Sequence, residues 1–368
     1  MSRRRLLHLI DTGGPGGAET VFMRVAAGLR ERGCEPVTMV SREGWLSAQC
    51  RQQDLAPLIN PPGSGRLAYL RRIIEVIRRE DVSAVIAHLY GASFYASIAA
   101  ALTRRPVISV FHGQKDVEGS RLNRVKGRIL SLPPGRSVFV SAALLADLRP
   151  RLGLSARRCE VIHNGVDIRA FEGIGSGLRQ RLGLSASDIL VGAVGNIRSP
   201  KAYDVLLRAA RSAADRDPRL VFAVAGEGGN DLARELEDLH RQLGLGDRFR
   251  FLGLVDDIPE FLAGLDIFTI ASRQEGFSIA CVEAMAAGLP VVATRSGGPE
   301  SIVADGVTGR LVPVDEPVRL ADALVGLAGD DAARAAMGAV GRQRAKAEFS
   351  LERSVAAYAR LLDELLPD

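Results

Sequence analysis

Two acidic and two basic side chains in the second half of the chain could hold a ligand that carries both hydroxyl groups and phosphate. Glu275 and Glu283 bracket the stretch EGFSIACVE, and Arg198 and Lys201 lie in GNIRSPKAYD. A carboxylate accepts two hydrogen bonds from a vicinal diol, whereas two cations beside the partial positive charge of a helix N-terminus suit a diphosphate. The spacing of the Glu pair alone is uninformative, and a solvated basic turn is the alternative interpretation of Arg198 and Lys201.

Elements that alternate between strand and helix patterns must position these residues. The first half contains the strand candidates RLLHLI, EPVTMV, SAVIAHL, PVISVF, SVFVS and CEVIHN, and the second contains DILVGAVGN, RLVFAVAGEG, FRFLG, DIFTIAS and PVVATRSGG. Helical patterns separate them, which predicts an α/β protein of two Rossmann-like, doubly wound lobes with a cleft between them. A Gly/Ser-rich joint, FEGIGSGLRQ, places the domains at about 1–170 and 171–350, and a final helix at about 351–368 is expected to pack back on the first lobe.

In this architecture the loops at the carboxyl ends of strands bind ligands. Glu275 is predicted to lie at the start of a helix and Glu283 one to two turns inside it, so one carboxylate could hold a sugar and the other a ribose. The backbone N–H groups of three successive residues would face phosphate. Two further strand-end positions could offer backbone to the ligand. These five predicted substrate-binding residues are Phe277, Ser278 and Ile279 for the phosphate, Glu227 in a glycine turn, and Val255 beside a flat base.

Several other enzyme classes lack their motifs in this chain. The glycine loops TGGPGGAET and AGEGGND place Glu19 and Asp231 where a nicotinamide-binding loop needs its third glycine. Neither a Gly-Lys-Ser/Thr phosphate loop nor a Gly-x-Ser-x-Gly nucleophile turn occurs. The pair Asp215 and Asp217 follows a helical pattern, where capping is the favoured interpretation over metal binding. No metal site or cofactor is therefore predicted.

Composition and charge indicate the surroundings of the protein. The four Cys residues are scattered, as expected for free thiols in a reducing cytoplasm. Residues 1–170 contain 26 Lys and Arg against 14 Asp and Glu, or +12, whereas residues 171–368 contain 22 against 29, or −7. The basic half suggests an anionic partner, with an Arg-rich solvated surface as the alternative. We expect a cytoplasmic protein that does not bind nucleic acid.

Taken in order, the motifs of the second half resemble those of retaining glycosyltransferases of the GT-B fold, in glycosyltransferase family four. The matching stretches are GNIRSPKAYDVLL, AGEG, FLGLVDDIPEFLAGLDIFTIAS, EGFSIACVEAMAAGLPVVATRSGGPESIVADGVTGRLVP and AKAEFSLERSVAAYARLL. The first half is similar more loosely, through GGPGGAET, FHGQ and VIHNGVD. One departure is Ala202, because the family usually has glycine after the lysine.

The resemblance implies a role for each matching residue. Arg198 and Lys201 would neutralise the donor diphosphate, Glu275 would bind the donor sugar, and Glu283 the ribose. In the first lobe, Gly16 and Gly17 would let the backbone reach the phosphate, and His112 would lie near the acceptor face of the sugar.

The sequence therefore predicts a metal-independent hexosyltransferase that retains configuration, with Glu275, Lys201, Arg198 and His112 as its catalytic residues. Its donor would be a nucleotide diphosphate sugar that supplies a hexose or an N-acetylhexosamine, with UDP as the expected nucleotide. The expected acceptor is a glycan or lipid-linked molecule in cell-surface polysaccharide assembly. The alternatives are a GT-B enzyme with a small-molecule acceptor and a non-catalytic nucleotide-sugar binding protein; an epimerase and a phosphorylase are further GT-B alternatives.

A basic, amphipathic segment suggests contact with the inner face of an anionic membrane. In GSRLNRVKGRILSLPPG, one helical face carries Leu122, Val125, Ile129 and Leu132 among basic residues. The four basic residues are Arg121, Arg124, Lys126 and Arg128. Packing of the apolar face on the sheet of the first lobe is the alternative.

Overall fold

The computed structural model describes residues 4–60, 65–114, 117, 122–132 and 134–366. Within them the chain forms two compact units, residues 1–165 with 351–368, and residues 166–350. The boundary lies slightly before the predicted one because Val166 pairs with Ser350 and donates its backbone N–H to Phe349, which ties it to the second unit.

The first unit is built on one parallel sheet in the order β3-β2-β1-β4-β5-β6-β7. Its strands are β1 (Arg5–Ile10), β2 (Glu35–Val40), β3 (Leu58–Ile59), β4 (Ala84–His88), β5 (Val107–Phe111), β6 (Gly135–Phe139) and β7 (Cys159–Val161). Its helices are α1 (Gly17–Glu31), α2 (Trp45–Gln52), α3 (Arg66–Arg79), α4 (Tyr90–Thr103), α5 (Asn123–Leu130), α6 (Ala142–Leu152) and, from the end of the chain, α15 (Leu351–Leu365).

The second unit repeats the arrangement with a parallel sheet in the order β10-β9-β8-β11-β12-β13. Its strands are β8 (Ile189–Val194), β9 (Leu220–Ala225), β10 (Phe249–Gly253), β11 (Ile267–Ile270), β12 (Val291–Thr294) and β13 (Gly309–Val312). Its helices are α7 (Leu178–Arg181), α8 (Tyr203–Ala214), α9 (Asp231–Gln242), α10 (Ile258–Ala263), α11 (Ile279–Ala286), α12 (Pro299–Ile302), α13 (Pro317–Ala328) and α14 (Asp331–Glu348).

The central strands form because their side chains are apolar on both faces. Every residue of β4 and of β9 is buried, as expected for parallel strands that are covered by helices on both sides. The prediction of two doubly wound lobes is confirmed. Two strands that the sequence analysis did not identify, β3 and β13, have two and four residues and lie at sheet edges.

In each unit the strand order reverses beside the first strand, between β1 and β4 and between β8 and β11. The loops that follow these strands diverge at this point and leave a crevice at the carboxyl edge of the sheet, which is where ligands bind in doubly wound folds. The loop after β8, together with the loop after β11 and the helix α11 that follows it, carries most of the predicted site residues.

The final helix packs on the first unit against α1. A Cβ atom at Gly28 would lie 2.4 Å from the Val355 side chain, so only glycine permits this approach of α1 to α15. Among the described residues, no helix combines the length and the apolar composition that a bilayer span requires.

Candidate functional site

The loop after β8 forms one wall of the crevice in the second unit. It ends in a single 3-10 turn, Ser199–Lys201, and α8 then begins at Tyr203. Ala202 joins the two with φ 49° and ψ 46°, the left-handed conformation that glycine adopts most easily. The alanine departs from the family pattern, yet the loop keeps the turn that a glycine would make there.

The loop after β11 forms the opposite wall and brings Glu275 to Lys201. The Lys201 Nζ atom lies 2.7 Å from Glu275 Oε1, and the Ser272 hydroxyl donates to the same oxygen at 2.7 Å. The side chain of Lys201 is 27% exposed and that of Glu275 is 10% exposed. Two residues 74 positions apart in sequence therefore form a largely buried ion pair across the switch point.

A second basic residue holds the two loops together. The backbone N–H of Arg273 donates to the Pro200 carbonyl at 2.8 Å. The Arg273 guanidinium donates twice to Asp204, in the first turn of α8, and once to Asp315 at 2.6 Å. Arg273 thus fixes the separation between the turn that carries Lys201 and the loop that carries Glu275.

The glycine turn after β9 is joined to the loop after β8. Ile197 N–H donates to the Glu227 carbonyl at 2.8 Å, and Glu227 N–H donates to Asn196 Oδ1 at 3.1 Å. A Cβ atom at Gly226 would lie 2.0 Å from the Gly195 carbonyl oxygen, so the two loops can approach this closely only with glycine at 226. The Glu227 side chain itself is exposed.

Arg198 lies on the same loop as Lys201 but is not held in place. Its side chain is exposed and makes no hydrogen bond or ion pair with another residue in the described part of the chain. An exposed guanidinium next to the Lys201 turn is able to contact an anion without first breaking an ion pair with another described residue.

The predicted helix is present, but it begins at Ile279, four residues after Glu275, which therefore lies in the loop before the helix and not at its start. Ser278 caps α11, and its hydroxyl accepts the N–H of Cys281 at 3.4 Å. Phe277 packs its buried ring against Phe349, with centroids 5.9 Å apart, so only its backbone is available to a ligand. Ile279 begins the helix, and Glu283 lies in it as a carboxyl that is only 9% exposed.

The second unit thus gathers the predicted residues to different degrees. Lys201 and Glu275 are in direct contact, and Arg198 and Glu227 lie on the adjoining loops. Ile279 and Glu283 lie in α11, Phe277 and Ser278 come directly before it, and Val255 lies apart from the others. That residue is half-buried and follows β10, at the edge of the sheet two strands away from β8.

The predicted residues of the first unit lie at the carboxyl edge of its sheet. Gly16 caps α1 and Gly17 is its first residue. The space beside Gly16 is filled by the Glu19 carboxylate, which would lie 2.4 Å from a Cβ atom there. His112 follows β5, and its Nε2 atom lies 3.0 Å from Nδ1 of His88, at the end of β4.

Sequence reasoning did not identify Ser272, Arg273, Asn196 and His88, which support the predicted residues. Each is close in sequence to a predicted residue or lies at a strand end, but their contacts join different loops, so no local pattern marks them. The described residues contain no group of three or more His, Cys, Asp or Glu side chains that could hold a metal ion.

Two family models match most of the chain. The family described as Glycosyltransferase Family 4 matches residues 15–170, and the one described as Glycosyl transferases group 1 matches residues 188–330. A D-inositol 3-phosphate glycosyltransferase of Salinispora tropica is 38% identical over 225 residues, which are 57% of this chain and 46% of the relative. The chain spans about half the length of the curated relatives that it matches.

Solved structures extend the likeness to the whole chain. Anabaena Alr3699/HepE in complex with UDP-glucose has a TM-score of 0.88 at 25% identity, covering 98% of this chain and all (100%) of the other. WaaG, a glycosyltransferase involved in lipopolysaccharide biosynthesis, has a TM-score of 0.76 at 18% identity, over 99% of this chain and 100% of the other, which shows the fold alone. The predicted GT-B fold is confirmed.

Proposed function

Since the chain belongs to the family four glycosyltransferases with the GT-B fold, we propose that it transfers a hexose from a nucleotide diphosphate sugar to an acceptor hydroxyl with retention of configuration. The observation that carries the proposal is the Lys201–Glu275 ion pair at the switch point, with the unpaired Arg198 side chain on the adjoining loop. One cation is held by a carboxylate, and an exposed second cation lies on the adjoining loop. This arrangement suits a site where negative charge grows on phosphate while sugar hydroxyls are held.

The proposed chemistry follows from these charges. As the sugar–phosphate bond breaks, negative charge accumulates on the diphosphate, and Lys201 and Arg198 stabilise it. Glu275 accepts hydrogen bonds from hydroxyl groups of the sugar. The leaving phosphate takes the proton of the acceptor on the face from which it departs, so no carboxylate nucleophile is required. Glu283 serves the ribose, and the start of α11 offers backbone N–H groups to phosphate.

We propose a uridine diphosphate sugar as the donor, supported by the HepE complex with UDP-glucose. For the acceptor, the comparisons favour a small molecule over the expected polysaccharide, because the Salinispora relative is named for D-inositol 3-phosphate. We therefore propose a small polyol, free or phosphorylated, as the acceptor. The roles of Gly16, Gly17, Val255, Glu227 and His112 stay predictions.

Ligand binding and turnover test the proposal. UDP, GDP and ADP sugars are compared by thermal unfolding, because a ligand at 100 times its dissociation constant stabilises by about 2.7 kcal/mol. The stabilising donor is then incubated with inositol phosphates, free polyols and oligosaccharides, and the product is identified by mass spectrometry and by NMR of the anomeric proton. Donor binding without transfer to any acceptor would favour a binding protein, and an inverted product would exclude retention.

Substitutions of the two cations test the site separately. Lys201→Ala and Arg198→Ala should each slow turnover at saturating donor by an amount equivalent to about 3 kcal/mol, as when one donor to a developing oxyanion is lost. Arg319→Ala is the matched control, because Arg319 is an exposed arginine of α13 on the same unit. Near-normal turnover of either site variant would contradict the assignment.

We propose that transfer needs no divalent metal, since two cations already face the diphosphate position. Turnover should persist in excess EDTA, measured with a donor and acceptor that the untreated protein uses. A loss that added Mg²⁺ or Mn²⁺ restores would show that a metal neutralises the diphosphate instead.

A specific observation favours membrane contact as a second proposal. Leu122, Val125 and Leu132, on and beside α5, are 59%, 51% and 64% exposed, so these three do not pack on the sheet as the alternative required. Arg124 and Arg128 are exposed among them. Such a face suits an anionic bilayer, to which each basic side chain contributes about 1 kcal/mol.

Two of the predicted basic residues contribute less to this argument. Lys126 extends over the Tyr90 ring, with its Nζ atom 5.4 Å from the centroid, and Arg121 lies outside the described residues. The test is co-sedimentation with phosphatidylserine vesicles at low and high salt, using Arg124→Gln/Arg128→Gln and the control Arg310→Gln/Arg319→Gln. If Arg124→Gln/Arg128→Gln weakens vesicle binding and the control pair does not, docking through α5 is supported. If the wild type does not bind, or if the two variants bind equally, docking through α5 is contradicted.

A further inference from the structure

The first unit buries a group of histidines that the proposed chemistry does not explain. His8 and His88 are fully buried, and the Phe22 ring meets both edge-on, with centroids 6.3 and 5.6 Å away. Within the described part of the chain, neither ring nitrogen of His8 has a hydrogen-bond partner, and neither does Nε2 of His88. Burial lowers the pKa of His8 to about 3 and lowers that of His88 well below its usual range. Both imidazoles are therefore neutral at physiological pH.

His88 contacts His112 through one nitrogen of each ring. The bonded atoms are 3.0 Å apart, the centroids are 5.2 Å apart, and the ring planes differ by 19°. Because the nitrogens are closer than the centroids by 2.2 Å (5.2 − 3.0), they lie between the rings. The rings thus meet edge to edge in nearly one plane, which is the geometry of an N–H···N hydrogen bond rather than of a face-to-face stack.

A neutral imidazole has one donor and one acceptor nitrogen, so this bond allows two assignments. If His112 Nε2 donated, His88 would carry its proton on Nε2, as a buried N–H without an acceptor. If His88 Nδ1 donates, the atom left unpartnered is only an acceptor nitrogen. Orphaned buried N–H groups are rarer than unfilled acceptors, which favours donation by His88.

We propose that His88 is a positioning residue that holds His112 in the Nδ1–H tautomer, so that His112 presents an N–H donor at Nδ1 to the ligand. The His112 side chain is half-buried, so it keeps part of its surface accessible to a ligand. Unlike Nε2 of His88, its Nδ1 is not a buried nitrogen left without a hydrogen bond. With the opposite tautomer this atom would be an acceptor and would repel the lone pairs of an oxygen acceptor on the substrate. The identity of the substrate as a sugar rests on the proposed function.

The tautomer is measured directly on the full-length protein labelled with ¹⁵N-histidine, using long-range ¹H–¹⁵N spectra at neutral pH. The chain has five His residues, so single substitutions assign the signals of His88 and His112. We expect both to be Nδ1–H tautomers in the wild type. In His88→Leu, His112 should change to the Nε2–H form that predominates for the neutral histidine side chain in water. An Nε2–H His112 in the wild type, or an unchanged His112 in His88→Leu, overturns the proposal.

Amide substitutions distinguish positioning from packing. In His88→Asn the amide lies near the former Nδ1 and can still donate to His112, whereas in the matched His88→Gln it lies near the former Nε2. Turnover should fall about tenfold in His88→Leu and His88→Gln, the equivalent of one hydrogen bond, and less in His88→Asn. Equal losses in all three variants with unchanged unfolding transitions would also overturn the proposal. The wild-type spectrum can be recorded without turnover. If His88 and His112 showed the predicted tautomers but the protein had no transferase activity, the proposed function would be refuted and the tautomer proposal would stand.

Discussion

Replacing Glu275 by Gln should abolish transfer yet tighten the binding of UDP. The Glu275 carboxylate lies 2.7 Å from the ammonium of Lys201 and neutralises the positive charge that we propose binds the diphosphate. Gln keeps the size of the side chain and a carbonyl oxygen for the Ser272 hydroxyl. The substitution therefore removes one negative charge next to the proposed phosphate position with little change in shape.

The magnitude follows from the distance. A phosphate on the far side of the Lys201 ammonium would lie about twice the ion-pair distance, roughly 5 to 6 Å, from the carboxylate. At an effective dielectric constant of about 20 the repulsion is about 3 kcal/mol, and in bulk water it is below about 1 kcal/mol. UDP should therefore bind about four to about 150 times more tightly to Glu275→Gln. Transfer is lost because the variant has no carboxylate at position 275 to accept hydrogen bonds from the sugar hydroxyls.

Isothermal titration calorimetry with UDP measures the effect, and added salt should reduce it. Glu237→Gln is the matched control, since Glu237 is an exposed carboxylate of α9 and loses the same formal charge. Lys201→Met should weaken UDP binding instead. If Glu275→Gln bound UDP ten times more weakly while unfolding cooperatively, the carboxylate would contact the nucleotide itself and the reasoning would be wrong.

Three further results are expected. Ala202→Val should lower the free energy of unfolding by at least about 2 kcal/mol, because a β-branched residue resists the left-handed conformation of this position. In Ala202→Gly the free energy of unfolding should hardly change, because the relief of strain and the loss of a buried methyl group nearly cancel. Chemical denaturation measures both variants, and a wild-type value for the Val variant would contradict this reasoning. Since the pKa of buried His8 is about 3, only the unfolded chain protonates this imidazole between about pH 3 and 6.5, so the free energy of unfolding falls as the pH falls. His8→Leu should reduce the slope of the free energy of unfolding against pH by about 1.4 kcal/mol per pH unit near pH 5. An unchanged slope would show that His8 titrates normally. Glu283→Ala should weaken UDP binding. If calorimetry found wild-type affinity for UDP, Glu283 would not bind the ribose.

Much of the second unit could be predicted because its signals are local. The apolar runs of β8, β9 and β11 are buried, and Ser278 before the apolar start of α11 is a helix cap that the sequence shows directly. The chain ends in three helical patterns, which correspond to α13, α14 and α15. The edge strands β3 and β13 could not be predicted in this way, since strands of two and four residues carry too little pattern.

The amino-acid sequence by itself determined the strand–helix alternation, the loops that carry Lys201 and Glu275, and the family, since each depends on residues that are neighbours along the chain. Only the tertiary structure decided that these two residues form an ion pair, that Arg273 holds their loops together, and that His88 bonds to His112. Each of these contacts joins loops that follow different strands. Their partners are brought together by the order of strands in the sheet, and that order is fixed by the burial of whole strands rather than by any local spacing.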